Sequence, residues 1–266
     1  MKHNPVNDFI YQLCALFLAI IIVHTPYVTI VQPKADVILK EQQARQDAGE
    51  AYIAERSIYI VLKDYEQESC FILALWAIAI MGLKVRIALH ERRLLNQSLL
   101  EVAPGTSILP EDTREYARPL QALPEQEREY LLPRALLAAL QRFGSTRDIQ
   151  NVSTAVREVC ETEANRLDSE LSMIRYIIWA IPSIGFIGTV RGIGEALGYA
   201  PRAVEGDIIG VTVSLGVAFN STLIALIISL FIMFLMHQLQ LLQERLVLDT
   251  QNYCDVNLIR HLQDRS

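Results

Sequence analysis

Four stretches of this chain, residues 10–31, 70–89, 174–197 and 208–236, are apolar runs of about 20 residues or more, the length an α-helix needs to cross the hydrocarbon core of a bilayer. No other feature limits the fold as strongly. Backbone N–H and C=O groups in lipid must be satisfied within the spanning segment, and a helix satisfies them. The chain is 52% hydrophobic with a mean hydropathy of +0.25, above the ordinary soluble range. The expected fold is all-α, a polytopic membrane protein with four transmembrane helices. The first run is long, has no small-x-small cleavage site after it and continues into Gln32, Pro33 and Lys34, so it reads as a retained anchor.

Lys and Arg positions set the expected orientation. Lys84 and Arg86 close the second run, Arg92 and Arg93 follow it, and Arg166 and Arg175 flank the start of the third. The segment between these two runs is therefore placed in the cytoplasm, together with both termini. The loop at 34–69 holds five basic residues against eight acidic ones, which suits the opposite side. The expected organisation is an N-terminal segment with the first span (1–33), an acidic periplasmic helical loop (34–69), the second span (70–89) and short cytoplasmic helices (90–147). A helix that becomes the third span (148–197), a short periplasmic loop (198–207), the fourth span (208–236) and a cytoplasmic C-terminal helix (237–266) complete it.

Periodicity supports the long helices. Ile149, Val152, Val156, Val159, Leu167, Leu171 and Ile174 recur at three-four spacing, which predicts one continuous helix from near Asp148 into the membrane. Before it, Pro104, Pro110, Pro119, Pro124 and Pro133 divide the chain into short pieces such as 124–143. After the fourth run, Leu239, Leu242, Leu246, Tyr253 and Leu258 keep helical spacing, and no Gly or Pro occurs after Gly216. The fourth helix is expected to project beyond the membrane. Two projecting amphipathic helices need cover, which points to a homo-oligomer with a helical bundle outside the lipid.

At about mid-depth the third and fourth runs are interrupted by small and hydroxylated residues rather than by charge. Gly185, Gly188 and Gly192 lie three and four apart, hence on one face, and permit close approach of another backbone. Thr189 shares that face. Pro182 frees a carbonyl one turn earlier. The fourth run carries Thr212, Ser214, Gly216, Asn220, Ser221 and Thr222. A hydroxyl bonded back to its own helix accounts for any one of these residues, but the recurrence on two spans points to a polar path.

Pro182-x-x-Gly185-x-x-Gly188-Thr189-Val190-x-Gly192, followed by Ala218-Phe219-x-x-Thr222-x-x-Ala225-Leu226, resembles the paired signature of the MotA/TolQ/ExbB proton channel family. Four spans with a large cytoplasmic segment between the second and third resemble its flagellar stator members. The resemblance implies an ion-driven motor subunit of the bacterial inner membrane, a homopentamer around a dimer of MotB/TolR/ExbD-like single-span partners that carry an intramembrane aspartate. It implies that Thr189 and Thr222, with Ser221 and Asn220, line the ion path and face the partner. Pro182, Gly185, Phe186, Gly188, Gly192 and Ala218 would pack the partner helix. The transported ion would be H+ or Na+. ExbB-like members carry a glutamate in the last span where this chain has Val217, so the titrating acid is expected from the partner. Family members commonly have a later proline in that span, and none follows Thr222 here.

Arg191, Glu195 and Asp207 stand near the expected outer mouth. Arg191 and Glu195 are one turn apart and suit an intrahelical pair; a role in the ion path is the alternative. Asp207, with Glu205 and Arg202, suits a solvated loop or a helix N-cap. His24 suits packing near the interface. Tyr52, Ile58, Tyr59 and Val61 are expected to pack the acidic loop on the helix ends. Four cysteines, Cys14, Cys70, Cys160 and Cys254, have neither the spacing nor the compartment for a disulfide or zinc site. No basic stripe suggests nucleic acid, and lipid is the expected surrounding. No Walker lysine, nucleophile elbow or His-Glu-x-x-His occurs, so neither an enzyme nor a resident cofactor is expected. Two other functions stay open: the same motor in an anti-phage defence system such as Zorya, and a non-conducting scaffold or receptor.

Overall fold

The computed structural model describes residues 5–47, 57–97, 99–100, 102 and 106–263. Four helical segments among them are long and apolar enough to cross a membrane: Asn7–Gln42, Tyr65–Leu95, Ile149–Gly198 and Ile209–His261. Among the described residues, pairing of strand type is confined to an isolated bridge, Ile108 with Leu262. The chain is an all-α, multi-pass membrane protein.

The chain divides into two compact units. The membrane unit comprises Phe9–Ile80 and Met173–Met236. Helix α1 (Pro5–Pro26) passes through a π-helical turn at Tyr27–Val31 into α2 (Gln32–Asp47). The turn starts where Pro26 and ends where Pro33 each lack an N–H donor, and Gln32 N–H bonds back to Tyr27 O. A short α3 (Ile58–Leu62) begins at Ser57, whose hydroxyl accepts from Tyr59 N–H. Ile58, Tyr59 and Val61 are partly buried or exposed at this short helix, and Tyr52 lies outside the described residues. Helix α4 (Tyr65–Leu95) is tied to α1 by Trp76 Nε1–H donating to Gln12 O at 2.8 Å and by the Tyr11 hydroxyl donating to Ala79 O at 3.1 Å.

The second unit comprises Met81–Ser172 and His237–Ser266 among its main parts. Helices α5 (Thr113–Gln121), α6 (Glu125–Arg128) and α7 (Leu131–Thr146) precede α8 (Ile149–Glu170). The expected piece 124–143 is two helices, because Tyr130 is extended and Pro133 sits in the first turn of α7, where its missing N–H has no intrahelical partner to lose. Leu136, Leu140 and Phe143 of α7 pack with Val152, Val156 and Cys160 of α8 and with Cys254 and Leu258. Glu163 is buried at the α7–α8 contact, where Arg134 Nη1 donates to it at 3.1 Å and Arg166 pairs with it. Lys84 bonds Glu170 at 2.7 Å.

Helix α8 begins as the sequence indicates, with the Asp148 side chain accepting from Gln150 N–H at 2.8 Å. It runs on into the third apolar run within one helical segment, Ile149–Gly198. At Leu171 one turn tightens, with Leu171 N–H donating to Asp168 O at 3.1 Å, and the segment continues as α9 (Ser172–Gly198). After α10 (Ala200–Val204), α11 (Ile209–Asn257) continues for 49 residues without interruption. At 1.5 Å per residue that is about 74 Å, far more than a bilayer core requires.

At the α7 terminus the left-handed position is taken by Arg147, with φ 56°, rather than by Gly144 or another glycine. Arg147 N–H caps Phe143 O at 2.9 Å. Its ion pair with Glu111, at 4.0 Å and exposed on both sides, contributes little. Arg147→Gly is therefore expected to stabilise the second unit by about 1 kcal/mol, since glycine enters this region without the Cβ clash. A thermal melt of the purified protein that moves down rather than up would count against this.

Candidate functional site: the α9–α11 seam

The glycine face of α9 closes on the chain's own α11. A Cβ at Gly185 would lie 2.4 Å from Ala225 Cβ, one at Gly188 would lie 2.5 Å from Ser221 Cβ, and one at Gly192 would lie 2.7 Å from Ser214 O. Real Cβ atoms do not approach so closely, so these three positions admit no side chain. The helices are antiparallel, and small residues on α11 complete the contact: Ala218 and Ala225 are fully buried, and Ser221 is 1% exposed. The faces expected to pack a partner helix, Gly185, Gly188, Gly192 and Ala218 with the partner-facing Ser221, thus lie against each other in the chain's own α9–α11 contact. They are already covered, because two small faces brought together by a short connection pack on each other first. Phe186 stands on another face and is 64% exposed.

Pro182 is half-buried, and its effect is answered within the seam. A proline at 182 leaves Ile178 O without its i+4 donor, and Ser229 of α11 donates its hydroxyl to that oxygen at 3.1 Å. Ser229 was not singled out by the sequence analysis. Its signal was faint, a lone buried serine in an apolar run.

Thr189 and Thr222 meet across the same seam. Their hydroxyls are hydrogen-bonded to each other. Thr189 Oγ1 also reaches Ala218 O at 3.1 Å and Gly185 O at 3.4 Å, while Thr222 Oγ1 donates to Gly185 O at 3.0 Å. Two hydroxyl protons are thus shared among four oxygens, so the group presents more acceptor than donor capacity. Both threonines are half-buried, at the lip of the seam. Asn220, also half-buried, lies two residues before Thr222 and is not drawn into this pair.

Towards the α10 end of α9, Arg191 is held mainly by a residue that the sequence analysis passed over. Its Nε and Nη2 donate to the two carboxylate oxygens of Glu66 at 2.8 and 2.9 Å, a forked pair. Glu195 accepts from Nη1 at 3.2 Å. The intrahelical pair exists, but it is the lesser one. The available signal was the dense run Asp64-Tyr65-Glu66-Gln67-Glu68 just before the second apolar stretch, set against an arginine late in the third. Gln67 of this run donates from Nε2 to Ser221 Oγ at 3.4 Å, and Ser221 donates to Val217 O at 2.9 Å. His24 does more than pack: Nδ1 lies 2.6 Å from Oε1 of the buried Glu68. Asp207 caps α11, with Oδ1 accepting from Ile209 N–H at 3.2 Å. Gly206, at φ 99°, makes the turn that brings it there. Among the described residues, no group of three or more His, Cys, Asp or Glu is placed to hold a metal ion.

Four helices long and apolar enough to cross a membrane, two of them joined by a seam of small and hydroxylated residues, define a multi-pass membrane protein. Residues 127–252 match the model of the MotA/TolQ/ExbB proton channel family. The match runs from the end of α6 through the Thr189–Thr222 pair and most of α11. It is a family of channels, not a class of enzymes. No curated protein and no solved structure matches the chain.

Proposed function

We propose that this protein is the ion-conducting subunit of a motor driven by a proton or sodium gradient across the bacterial inner membrane. Five copies surround a dimer of single-span partners, each partner contributes an intramembrane aspartate, and ion flux turns one component against the other. Both termini and the second unit lie in the cytoplasm in this arrangement. The observation that carries the proposal is the Thr189–Thr222 pair inside the stretch that matches a proton channel family.

Neither hydroxyl titrates at physiological pH. Their service is to present oxygens, in a site of low dielectric, to a hydrated ion or to the protonated carboxyl of the partner. The lip position suits this, because Thr189 and Thr222 keep part of their surface uncovered while Ala218 and Ser221 do not. The apolar faces of α9 and α11 that the chain leaves uncovered, including Trp179, Phe186, Val190, Phe219 and Leu223, are available to neighbouring copies and lipid.

The test is co-expression with a single-span protein that carries an intramembrane aspartate, mass determination of the purified complex and proton or sodium uptake in proteoliposomes. A complex of five to two with flux that stops when the partner's intramembrane aspartate becomes asparagine is the expected result. Stable assembly with no flux of either ion would overturn the motor and leave a membrane scaffold.

A further inference from the structure

Three buried polar atoms of the membrane unit have no hydrogen-bond partner among the described residues: the Tyr27 hydroxyl, Asp64 Oδ2 and Gln67 Oε1. Their side chains are between 0% and 8% exposed. Buried polar atoms in folded proteins are nearly always partnered, so three in one unit call for a ligand. Two of them stand at the start of α4, and the third belongs to a side chain packed on the same helix. Asp64 and Gln67 are three residues apart where the helical pattern of α4 begins, with Glu68 N–H bonding Asp64 O at 3.3 Å. The Tyr27 ring packs on Phe71, one turn beyond Gln67, with centroids 6.5 Å apart.

The remaining atoms of these side chains are committed elsewhere. Lys63 Nζ at 3.2 Å and Arg191 Nη2 at 3.7 Å both approach Asp64 Oδ1, not Oδ2. Gln67 Nε2 donates to Val61 O at 3.1 Å and to Ser221 Oγ at 3.4 Å, which fixes the amide so that Oε1 is the free end. What is left over is one O–H donor and two acceptor oxygens. A water molecule donates twice and accepts from a donor, so it answers all three. A bare cation would answer the two acceptors and strand the tyrosine proton.

We propose that Tyr27, Asp64 and Gln67 bind a water molecule inside the membrane unit, accepting from the tyrosine hydroxyl and donating to the carboxylate and amide oxygens. Through the Gln67 amide this water adjoins Ser221, the residue before Thr222, and so extends the ion route towards Asp64 and Glu66. That role rests on the proposed function; the water site does not.

Hydroxyl-radical footprinting of the full chain in nanodiscs tests the site without a partner and without flux. Radicals generated from a bound water oxidise the side chain beside it. Tyr27, although buried, is expected to be oxidised well above the fully buried Phe143. Asp64→Asn or Gln67→Met is expected to lower Tyr27 oxidation about fivefold, the effect of losing one partner of the water, with Tyr199 oxidation unchanged. Tyr27 oxidation at the level of Phe143 in the unaltered protein would overturn the site. So would a Tyr27 signal that changes when sodium replaces choline at constant ionic strength, since that places a cation there instead. Flux lost with the footprint intact would count against the proposed function alone.

Discussion

Gly192→Leu is expected to separate α9 from α11 and to lower the stability of the membrane unit by about 3 kcal/mol, the upper end of what overpacking a close-packed contact costs. The reason is the kind of atom it meets. A Cβ at position 192 lies 2.7 Å from Ser214 O and 2.8 Å from both Ala218 N and Ala218 Cβ, and backbone atoms of a helix cannot swing aside as the end of a side chain can. Relief requires the helices to move apart, which also loosens the Thr189–Thr222 contact one turn away. Gly194→Leu is the matched control. It adds the same side chain to the same helix, but nothing lies within 4 Å of its Cβ, so it is expected to change stability by less than about 0.5 kcal/mol. Thermal unfolding of the two variants in one detergent decides the matter, and equal midpoints would show that the seam does not hold the unit together.

Thr189→Val and Thr222→Val are expected to cut partner-dependent ion flux at least about tenfold, since one hydrogen bond of about 1.4 kcal/mol at the barrier is worth that factor. Valine keeps the shape and removes only the hydroxyl, so assembly should survive. Thr222→Val leaves Gly185 O without its 3.0 Å donor, and Thr189→Val removes the contacts to Ala218 O and Gly185 O. Thr189→Ser and Thr222→Ser keep the hydroxyl and should keep most of the flux. The double valine variant should lose less than the product of the single losses, because the two hydroxyls bond each other and act as one group. Proteoliposome uptake with intact complexes of normal mass is the measurement. Full flux in either valine variant would remove that threonine from the ion path.

Particular residues show how far the sequence could be read. Glycines at 185, 188 and 192 announced one small face on the third span, since their spacing matches the helical repeat. Whether another chain or the same chain covers that face is not written in the spacing, and the structure turned it onto α11. The carbonyl freed by Pro182 followed from the chemistry of proline, but its donor, Ser229, lies 51 residues from Ile178 and had no pattern to mark it. Arg191 was read with Glu195 because a helix brings residues four apart together. Its forked partner, Glu66, lies 125 residues away on α4. The helix expected from Asp148 extends to Gly198, and only the single tightened turn at Leu171 went unmarked by the apolar periodicity.

By itself, then, the sequence determined the number of helices long and apolar enough to cross a membrane, the uninterrupted length of α11 and the small and hydroxylated residues on the last two of them. These depend on run length, periodicity and the absence of breakers, all of which are local in the chain. Tertiary structure decided which groups satisfy one another: Ser229 for Ile178 O, Glu66 for Arg191, His24 for Glu68, Thr222 for Gly185 O. A helix states what each of its faces offers, but a buried donor takes the acceptor that packing brings within about 3 Å, however far away it lies in sequence.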